Sequence, residues 1–491
     1  MPFSKQPVIQ TYETKRVNLV SNPLQRNSNK DKDLRLLNVM VDIVKSPAGD
    51  QKKYYIKSRP GLNFAKAPGV TGAARGLYYW TVSGVGYAIS VIGNKVYSSG
   101  PLSNTLLATL STSTGYCGFT EFVGSTGTVS LILLDGTNGY VIGSPTTPAA
   151  QITSANFPTP HIPQPVFLDG YLFVAKANSQ DIYNSDLDAP ATWTSGNYIS
   201  AEMYPDTIVG LSKNNNFVYA VGSSSVEYFY DNANATGTPL ARQPSAVQQF
   251  GSSAMGSIVQ TEKEVIFIGE TGDGGHTVWT IDGFKESEIG IPAIKSALLQ
   301  EGTALANARA YAVRASGQKL YIINLTNRTL VYSFDTKMWC EWSSNGGAFM
   351  GFIGSDGPTG SAYAIHPTNG NIYTLDETNF YDDSYPINCS ITSEKQDFDA
   401  INRKFMHRFS IIGDIPSDPD GSIGSDSSIY ISWSDDDYQT WSTPRALNMA
   451  ADLPSIFQLG SFRRRAFRIT YSLPHLFRIE GLEVDINKGN A

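Results

Sequence analysis

Residues 163–231 read PQPVFLDGYLFVAKANSQDIYNSDLDAPATWTSGNYISAEMYPDTIVGLSKNNNFVYAVGSSSVEYFYD, and they hold two copies of one pattern. A short apolar run, Tyr171–Ala175, is followed by a polar turn around Asn178–Gln180 and a second run ending in Tyr183. The pattern returns as Phe217–Val221, the small polar turn Gly222–Ser225, and Val226–Tyr230. These runs are short, rich in Val, Ile, Tyr and Phe, and bounded by Gly, Ser, Asn or Asp. That length and composition predict β-strands rather than helices. One such hairpin cannot bury its apolar face alone, so the pattern is expected to recur along the chain.

It does recur. Leu77–Val82 and Tyr87–Ile92 flank Ser83–Gly86, with Lys95–Ser98 following. Val129–Leu134 and Tyr140–Ile142 flank Asp135–Gly139, a hairpin signal. Val265–Ile268 and Val278–Ile281 flank the Gly-rich turn 269–276, and Leu320–Ile323 and Leu330–Phe334 flank Asn324–Thr329. Ala362–Ile365 and Ile372–Leu375 flank His366–Asn371. The leading runs, read as the first strand of each repeat, start near Tyr87, Val129, Tyr171, Phe217, Val265, Leu320 and Ala362. Four short strands per repeat at roughly 40–50 residues is the propeller period. The fold class is therefore all-β. A six- or seven-bladed β-propeller is expected, with the first and last runs free to share a blade and close the ring. Only Ala293–Ala308, with Leu298, Leu299 and Leu305, offers a helical face.

Near residue 380 the composition changes. Asn379–Pro386 reads as a linker. Longer alternating runs follow: Asn388–Thr392, Phe405–Gly413, Ser428–Ser434, Ser461–Ser472 and Leu476–Ile486. They predict an additional C-terminal antiparallel β-sandwich domain. At the other end, Leu36–Val44 and Lys53–Ser58 are strand-like, Asn27–Arg35 reads as a solvated loop, and Arg59-Pro60-Gly61-Leu62 breaks the chain. The expected organisation is 1–62, N-terminal strands and loop partly closing the propeller; 63–380, the propeller; and 381–491, the sandwich.

The totals narrow the function. The chain has 491 residues, 16% of them charged, and a net charge of −7. An acidic balance argues against sequence-independent nucleic-acid binding and suits a surface that DNA slides past. Cys117, Cys340 and Cys389 are far apart and show neither a disulfide framework nor metal spacing, so they read as small buried hydrophobes. The first residues lack the apolar stretch of a signal peptide, and no run approaches the ~18 apolar residues of a membrane span. Synthesis in a cytoplasm, without membrane insertion, is expected.

Three features could carry chemistry. Ser434–Trp441 (SDDDYQTW) resembles an Asp-box turn through Ser434, Asp436, Thr440 and Trp441, with Tyr438 where glycine is expected. The expected role is structural, a carboxylate capping turn amides over a packed Trp; a calcium site on Asp435–Asp437 is the other reading. Phe462–Arg468 (FRRRAFR) is the one basic cluster. Read as a strand, it puts Arg463 and Arg465 on one face and Arg464 and Arg468 on the other. Salt bridges within the sandwich or to a neighbouring acidic subunit are expected, with phosphate contact the alternative. Carboxylates for glycoside hydrolysis could come from distant blades, and Asp273, Glu227 and Asp282 are candidates without special claim. Glu227 is expected to face solvent or an Arg in its blade. The five histidines (161, 276, 366, 407, 475) are scattered, and no HExxH or GxSxG is present. No catalytic residue, metal or cofactor is expected, and the chain is not read as an enzyme.

Several stretches together resemble a known family, the packaged-DNA stabilisation or tail-hub (nozzle) proteins of short-tailed bacteriophages. Ser58–Leu62 (SRPGL) followed by Arg75–Tyr78 (RGLY) is similar to the family's opening segment. Asp206–Leu211 (DTIVGL) and Gly222–Phe229 (GSSSVEYF) are similar to its central blade, with Ser224, Ser225, Glu227, Tyr228 and Phe229 as the signature. Arg463–Arg468 and Ile479–Ile486 resemble its carboxyl end. The resemblance implies a structural virion-tail protein made in the bacterial host. It implies a hexameric homo-oligomer ring below the portal and its adaptor protein, closing the DNA-filled head. Such a ring would anchor tail fibres or tailspikes and form part of the ejection channel, with DNA passing through its lumen without tight binding. The alternative is a tail-tip receptor-binding or polysaccharide-degrading propeller, which predicts a concave cluster of aromatic rings and paired carboxylates.

Overall fold

Seven small sheets follow one another along the middle of the chain and return to their start. This is a computed structural model, and it describes residues 12–17, 19–20, 34–45, 52–234, 236–270, 274–357, 360–417 and 426–489. Most of the predicted loop at 27–35, and Asp273, lie outside those residues.

Leu62–Asp335 and Gly347–Asp376 form one compact unit. Its blades 1 to 5 are antiparallel four-stranded sheets beginning with Ala74–Val82, Gly118–Val123, Val166–Leu168, Ile208–Asn214 and Val259–Gln260. Blade 6 is built in this unit from Arg309–Ala315, Gln318–Asn324 and Thr329–Ser333. Blade 7 runs Ile353–Asp356, Ala362–Ile365, Ile372–Asp376, and then takes residues 62–66 of the strand Gly61–Lys66 as its outer member. Each first strand adjoins the next, and that of blade 7 adjoins that of blade 1, so seven blades close a ring. The closing strand begins where the expected N-terminal segment 1–62 ends; the predicted strands Leu36–Val44 and Lys53–Ser58 are not part of the ring.

The leading runs read from the sequence fall one per blade, but on second strands, not first. Val85–Ile92, Val129–Leu134, Tyr171–Ala175, Phe217–Gly222, Val265–Glu270, Gln318–Asn324 and Ala362–Ile365 are all second strands. A second strand is covered on both faces by neighbouring blades, so it is the most continuously apolar and the easiest to see.

Alternation along a strand sends successive side chains into different inter-blade cores. In blade 4, Val218, Ala220 and Phe229 join Phe173, Ala175 and Ile182 of blade 3. Tyr219, Val221 and Tyr228 join Val265, Phe267 and Ile281 of blade 5. Ala74, Leu77 and Ile92 of blade 1 pack with Ile353, Ile365 and Ile372 of blade 7, which seals the ring. The predicted helical stretch is an α-helix over Pro292–Glu301, with proline at its start and a left-handed Gly302 at its end, followed by a 3-10 turn, Gly302–Asn307.

Met1–Gly61, Thr336–Gly346 and Glu377–Ala491 form the second compact unit. It cuts the chain differently from the boundaries at 62 and 380, because the early strands and residues 336–346 group with the C-terminal sheets. Here one sheet joins Val39–Lys45, Lys52–Ser58, Arg478–Lys488, Lys404–Gly413 and Ser455–Phe457, with Glu13–Val17 also on Arg478–Lys488. A second joins Met338–Trp342, Arg35–Leu37, Cys389–Thr392, Ala466–Tyr471, Ser428–Ser434 and Arg445–Asn448. Their inner faces share one core, with Val39, Phe409 and Val484 from the first sheet and Ile391, Ile431 and Phe467 from the second. This is the predicted sandwich, built from three chain segments. No described helix is long and apolar enough to cross a membrane.

Candidate functional site

The signature stretch of blade 4 is a clamped turn followed by a buried strand. Gly222 to Ser225 links the strands Phe217–Gly222 and Val226–Asp231. The Asp206 carboxylate accepts from the amides of Ser224 (2.7 Å) and Ser225 (3.0 Å) and from the Ser225 hydroxyl (3.0 Å). This is an aspartate capping a turn from outside it. The turn needs glycine on both sides: a Cβ on Gly222 would stand 2.3 Å from the Asp206 carboxylate, and one on Gly251 2.3 Å from the Gly222 carbonyl oxygen.

Glu227 does not face solvent. It is buried, pairs with Arg242 of its own blade at 2.9 Å, and accepts from the Met203 amide at 2.8 Å. Burial pushes its carboxyl pKa up, while the Met203 amide and Arg242 pull it down. Asp282, by contrast, is an exposed residue of blade 5. Tyr228 and Phe229 are buried on opposite faces of the strand. All five signature residues therefore sit in a turn or inside the blade packing.

In the sandwich unit, the basic cluster is not one continuous strand. Ser461–Phe462 ends before Arg463, and Ala466–Tyr471 begins after Arg465, so the four arginines do not alternate as expected. The chain bends at Arg463 and Arg464, which are exposed. Arg465 is turned inward: it meets the Asp435 carboxylate at 2.7 and 2.8 Å, donates to the Leu459 carbonyl at 2.8 Å, and lies 4.4 Å over the Phe462 ring. Arg468 lies 3.8 Å over the Trp441 ring. Arg463 donates to the Ile401 carbonyl at 3.3 Å.

The Asp-box-like turn is formed. Asp436 accepts from the Ser434 hydroxyl at 2.8 Å, from the amides of Gln439 and Thr440 at 3.2 and 3.0 Å, and from the Thr440 hydroxyl. Tyr438 adopts φ 67°, the left-handed conformation for which glycine is expected there, and is held by donating its hydroxyl to the Ser393 carbonyl at 3.0 Å. Of the other two aspartates, Asp435 is paired with Arg465 and Asp437 with Lys395. Each of the three carboxylates thus has its own partners. The turn donors hold the Asp436 pKa down at about 2. Its folded value is depressed, so its contribution is present above the unfolded pKa and lost as pH falls through about 2. Carboxyl-carbon NMR should place its midpoint near 2; a midpoint near 4 would remove the capping argument.

His161, between blades 2 and 3, is buried with its ring edge against Phe157 and its Nδ1–H donating to the Pro158 carbonyl at 3.0 Å. Burial pushes its pKa down to about 4, against a smaller upward pull from Asp135. The unfolded chain therefore binds the extra proton first. Its neutral form stabilises the fold fully above pH ~6.5, and that contribution falls by about 3 kcal/mol as pH drops to about 4. A His161→Gln variant should lose that segment of the wild-type pH dependence in denaturant titrations; an unchanged slope between pH 6.5 and 4 would refute it.

Sequence reasoning did not single out the buried ion pair of Arg59 with Asp382, or Arg75, which donates to the carbonyls of Gly93, Thr112 and Gly115. Both arginines lie in the stretches quoted for the family's opening segment. Their signal was a charged residue flanked by Pro or Gly at a chain break.

A family model described as Bacteriophage P22 Gp10, beta-propeller, matches residues 26–348. The tail hub protein gp10 of Salmonella phage P22 is 25% identical over 296 residues, 58% of this chain and 61% of that protein. The chain thus spans about six tenths of the length of the curated relative it matches. Among solved structures, BBS1N in complex with ARL6DN is 12% identical with a TM-score of 0.40, covering 65% of this chain and 98% of that one. An ancestral GH74 enzyme is 8% identical with a TM-score of 0.40, covering 70% and 57%. Likeness at those scores carries no argument about function.

Proposed function

The chain belongs to the phage stabilisation family, that of the Bacteriophage P22 Gp10 β-propeller, and on that premise we propose that it is a structural tail-hub protein of a virion and not an enzyme. The observation that carries this reading is the family match over residues 26–348, which takes in blades 1 to 6 and the signature turn. The relative that matches is itself called a tail hub protein. The reading includes a ring of six copies below the portal and adaptor, closing the head, anchoring fibres or spikes, and lining part of the ejection channel. It places synthesis in the host bacterial cytoplasm.

Two physical features support it. A closed ring of blades leaves only the outer strands of its blades as edges, which suits a rigid element packed among copies. A net charge of −7 suits a wall along which DNA moves without adhering, where acidic groups face the lumen. The five signature residues have structural work in and around blade 4, and the exposed Arg463 and Arg464 offer charge for contact with an acidic neighbouring subunit. A reconstruction of the intact tail by electron microscopy tests the reading. Six copies on the portal axis are expected; a peripheral trimer or appendage would overturn it.

A further inference from the structure

At the end of blade 4 next to the turn of blade 3 lies an open cleft of about 450 Å³, lined by Asp169, Asn216, Phe217, Tyr230, Asp231 and Gln243. Its volume is within the ~300–1,000 Å³ of small-ligand clefts. Phe217 and Tyr230 face each other across the strand pair, ring centroids 6.3 Å apart and edge to face, both half-buried. Phe217 is propped from behind by Phe284 at 4.8 Å. The floor is thus a supported aromatic surface.

Several polar groups around it make no hydrogen bond within the protein, and Asp169 has Lys213 within electrostatic reach. Among the described residues, the Asp169 carboxylate, the Asn216 amide and the Tyr230 hydroxyl make no hydrogen bond within the protein. Asp231 uses one oxygen to accept from the Ala233 amide at 2.6 Å, and Gln243 uses only its nitrogen, donating to Ser245 at 2.9 Å. By contrast, the Asp206 carboxylate beside this blade is fully engaged by the Ser224 and Ser225 donors. Unpaired acceptors and donors gathered over aromatic rings are a recognition surface rather than a folding device.

We propose that this cleft binds a saccharide. The mixture of groups decides the ligand class. A cationic side chain only donates, so it would satisfy Asp169 and Asp231 but leave the Asn216 NH2 without an acceptor. A vicinal diol both donates and accepts, and can use the carboxylates, the amides and the tyrosine hydroxyl together. The apolar face of a pyranose ring covers Phe217 and Tyr230. A phosphorylated ligand is disfavoured by the two carboxylates. The cleft goes beyond the tail-hub role and does not depend on it: it gives the protein a contact with polysaccharide, and no bond is cleaved.

Saturation-transfer NMR on the full chain tests this, with maltotetraose, mannotetraose and chitotetraose as probes and a trilysine peptide as the competing ligand. At least one tetrasaccharide is expected to bind, with affinity falling about tenfold in Asp169→Asn and in Tyr230→Leu. A Tyr198→Ala control outside the cleft should bind as the wild type does. Asp169 is exposed, so Asp169→Asn keeps the fold even where a change at Tyr230 disturbs it. Failure of all three sugars at millimolar concentration, or equal binding by both variants, overturns the proposal. Binding of trilysine alone, lost in Asp169→Asn, reassigns the cleft to a basic protein segment. None of these outcomes bears on where the chain sits in the tail, so the two readings fail separately.

Discussion

Arg59→Met is expected to destabilise the sandwich unit by about 3–5 kcal/mol, because it strands a buried carboxylate. All five guanidinium N–H groups are used. Nε donates to the Asn38 side chain at 2.9 Å, and Nη1 donates to the Pro60 carbonyl and to Asp382, both at 2.9 Å. Nη2 donates to the Ser343 carbonyl at 2.9 Å and to Asp382 at 2.5 Å. Asp382 also accepts from the Ser344 hydroxyl at 2.6 Å, and Asn38 donates to the Asn388 carbonyl at 2.9 Å. One side chain thus ties together three stretches that are remote in sequence, around residues 38–60, 343 and 382. Removing it leaves Asp382, which is 1% exposed, with a single hydroxyl donor. A drop in melting temperature of about 6–20 °C follows for a unit of this size. The double variant Arg59→Met/Asp382→Leu should regain most of the loss, since an apolar pair carries no desolvation cost. Calorimetry across that set decides it: a loss below about 1 kcal/mol in the single variant would refute the argument.

Phe229→Ala should cost a similar amount in the propeller unit, about 3–5 kcal/mol, by opening a cavity between blades 3 and 4. The ring is fully buried among Phe173, Ile182, Val218 and Leu240. Both blades are held by their own ladders, so the wall can relax only a little, and the lost contacts are not regained. The adjacent residue supplies the control. Tyr230, one step along the strand, points the other way and is half-buried, so Tyr230→Leu should cost under about 1 kcal/mol. Urea midpoints at equal slope would show the difference. Equal costs for the two variants would mean that the alternation in this strand is misplaced.

The same alternation explains what was legible in the sequence. Strands buried on both faces are continuous apolar runs, and all seven second strands were visible as such. Apart from Leu77–Val82 in blade 1, first and fourth strands were not read as such, and the shortest or most exposed of them, Val259–Gln260 and Lys285–Glu288, hardly stand out from a turn. The grouping of 336–346 with the sandwich unit has no local signal, since Met338–Trp342 reads as one more apolar run. For the candidate residues, the Asp436 turn was legible because its chemistry is local, with every partner within four residues. Glu227 was half legible: an arginine of its own blade was expected, but Arg242 lies in the next strand at an offset no motif fixes. The reading of Arg463–Arg468 as a strand failed at a bend that lets Arg465 reach Asp435. Such a bend is set by the tertiary pairing, not by the arginines' own neighbours.

The outer strand of blade 7 gives the protein a birth order. Gly61–Lys66 and its partner Ile372–Asp376 are about 300 residues apart in the chain. At ~5–20 residues per second, the ribosome delivers the second roughly 15–60 s after the first. Through that interval the early strand has no ladder to join, and the nascent blades form an open arc. Closure is therefore a late, long-range step whose rate is set by synthesis and not by the local hairpins, which form in about 1–10 μs. A cell producing this protein in quantity has to keep that early edge from pairing with another nascent copy, and the safest arrangement is one in which the arc closes on itself as soon as the last blade leaves the ribosome.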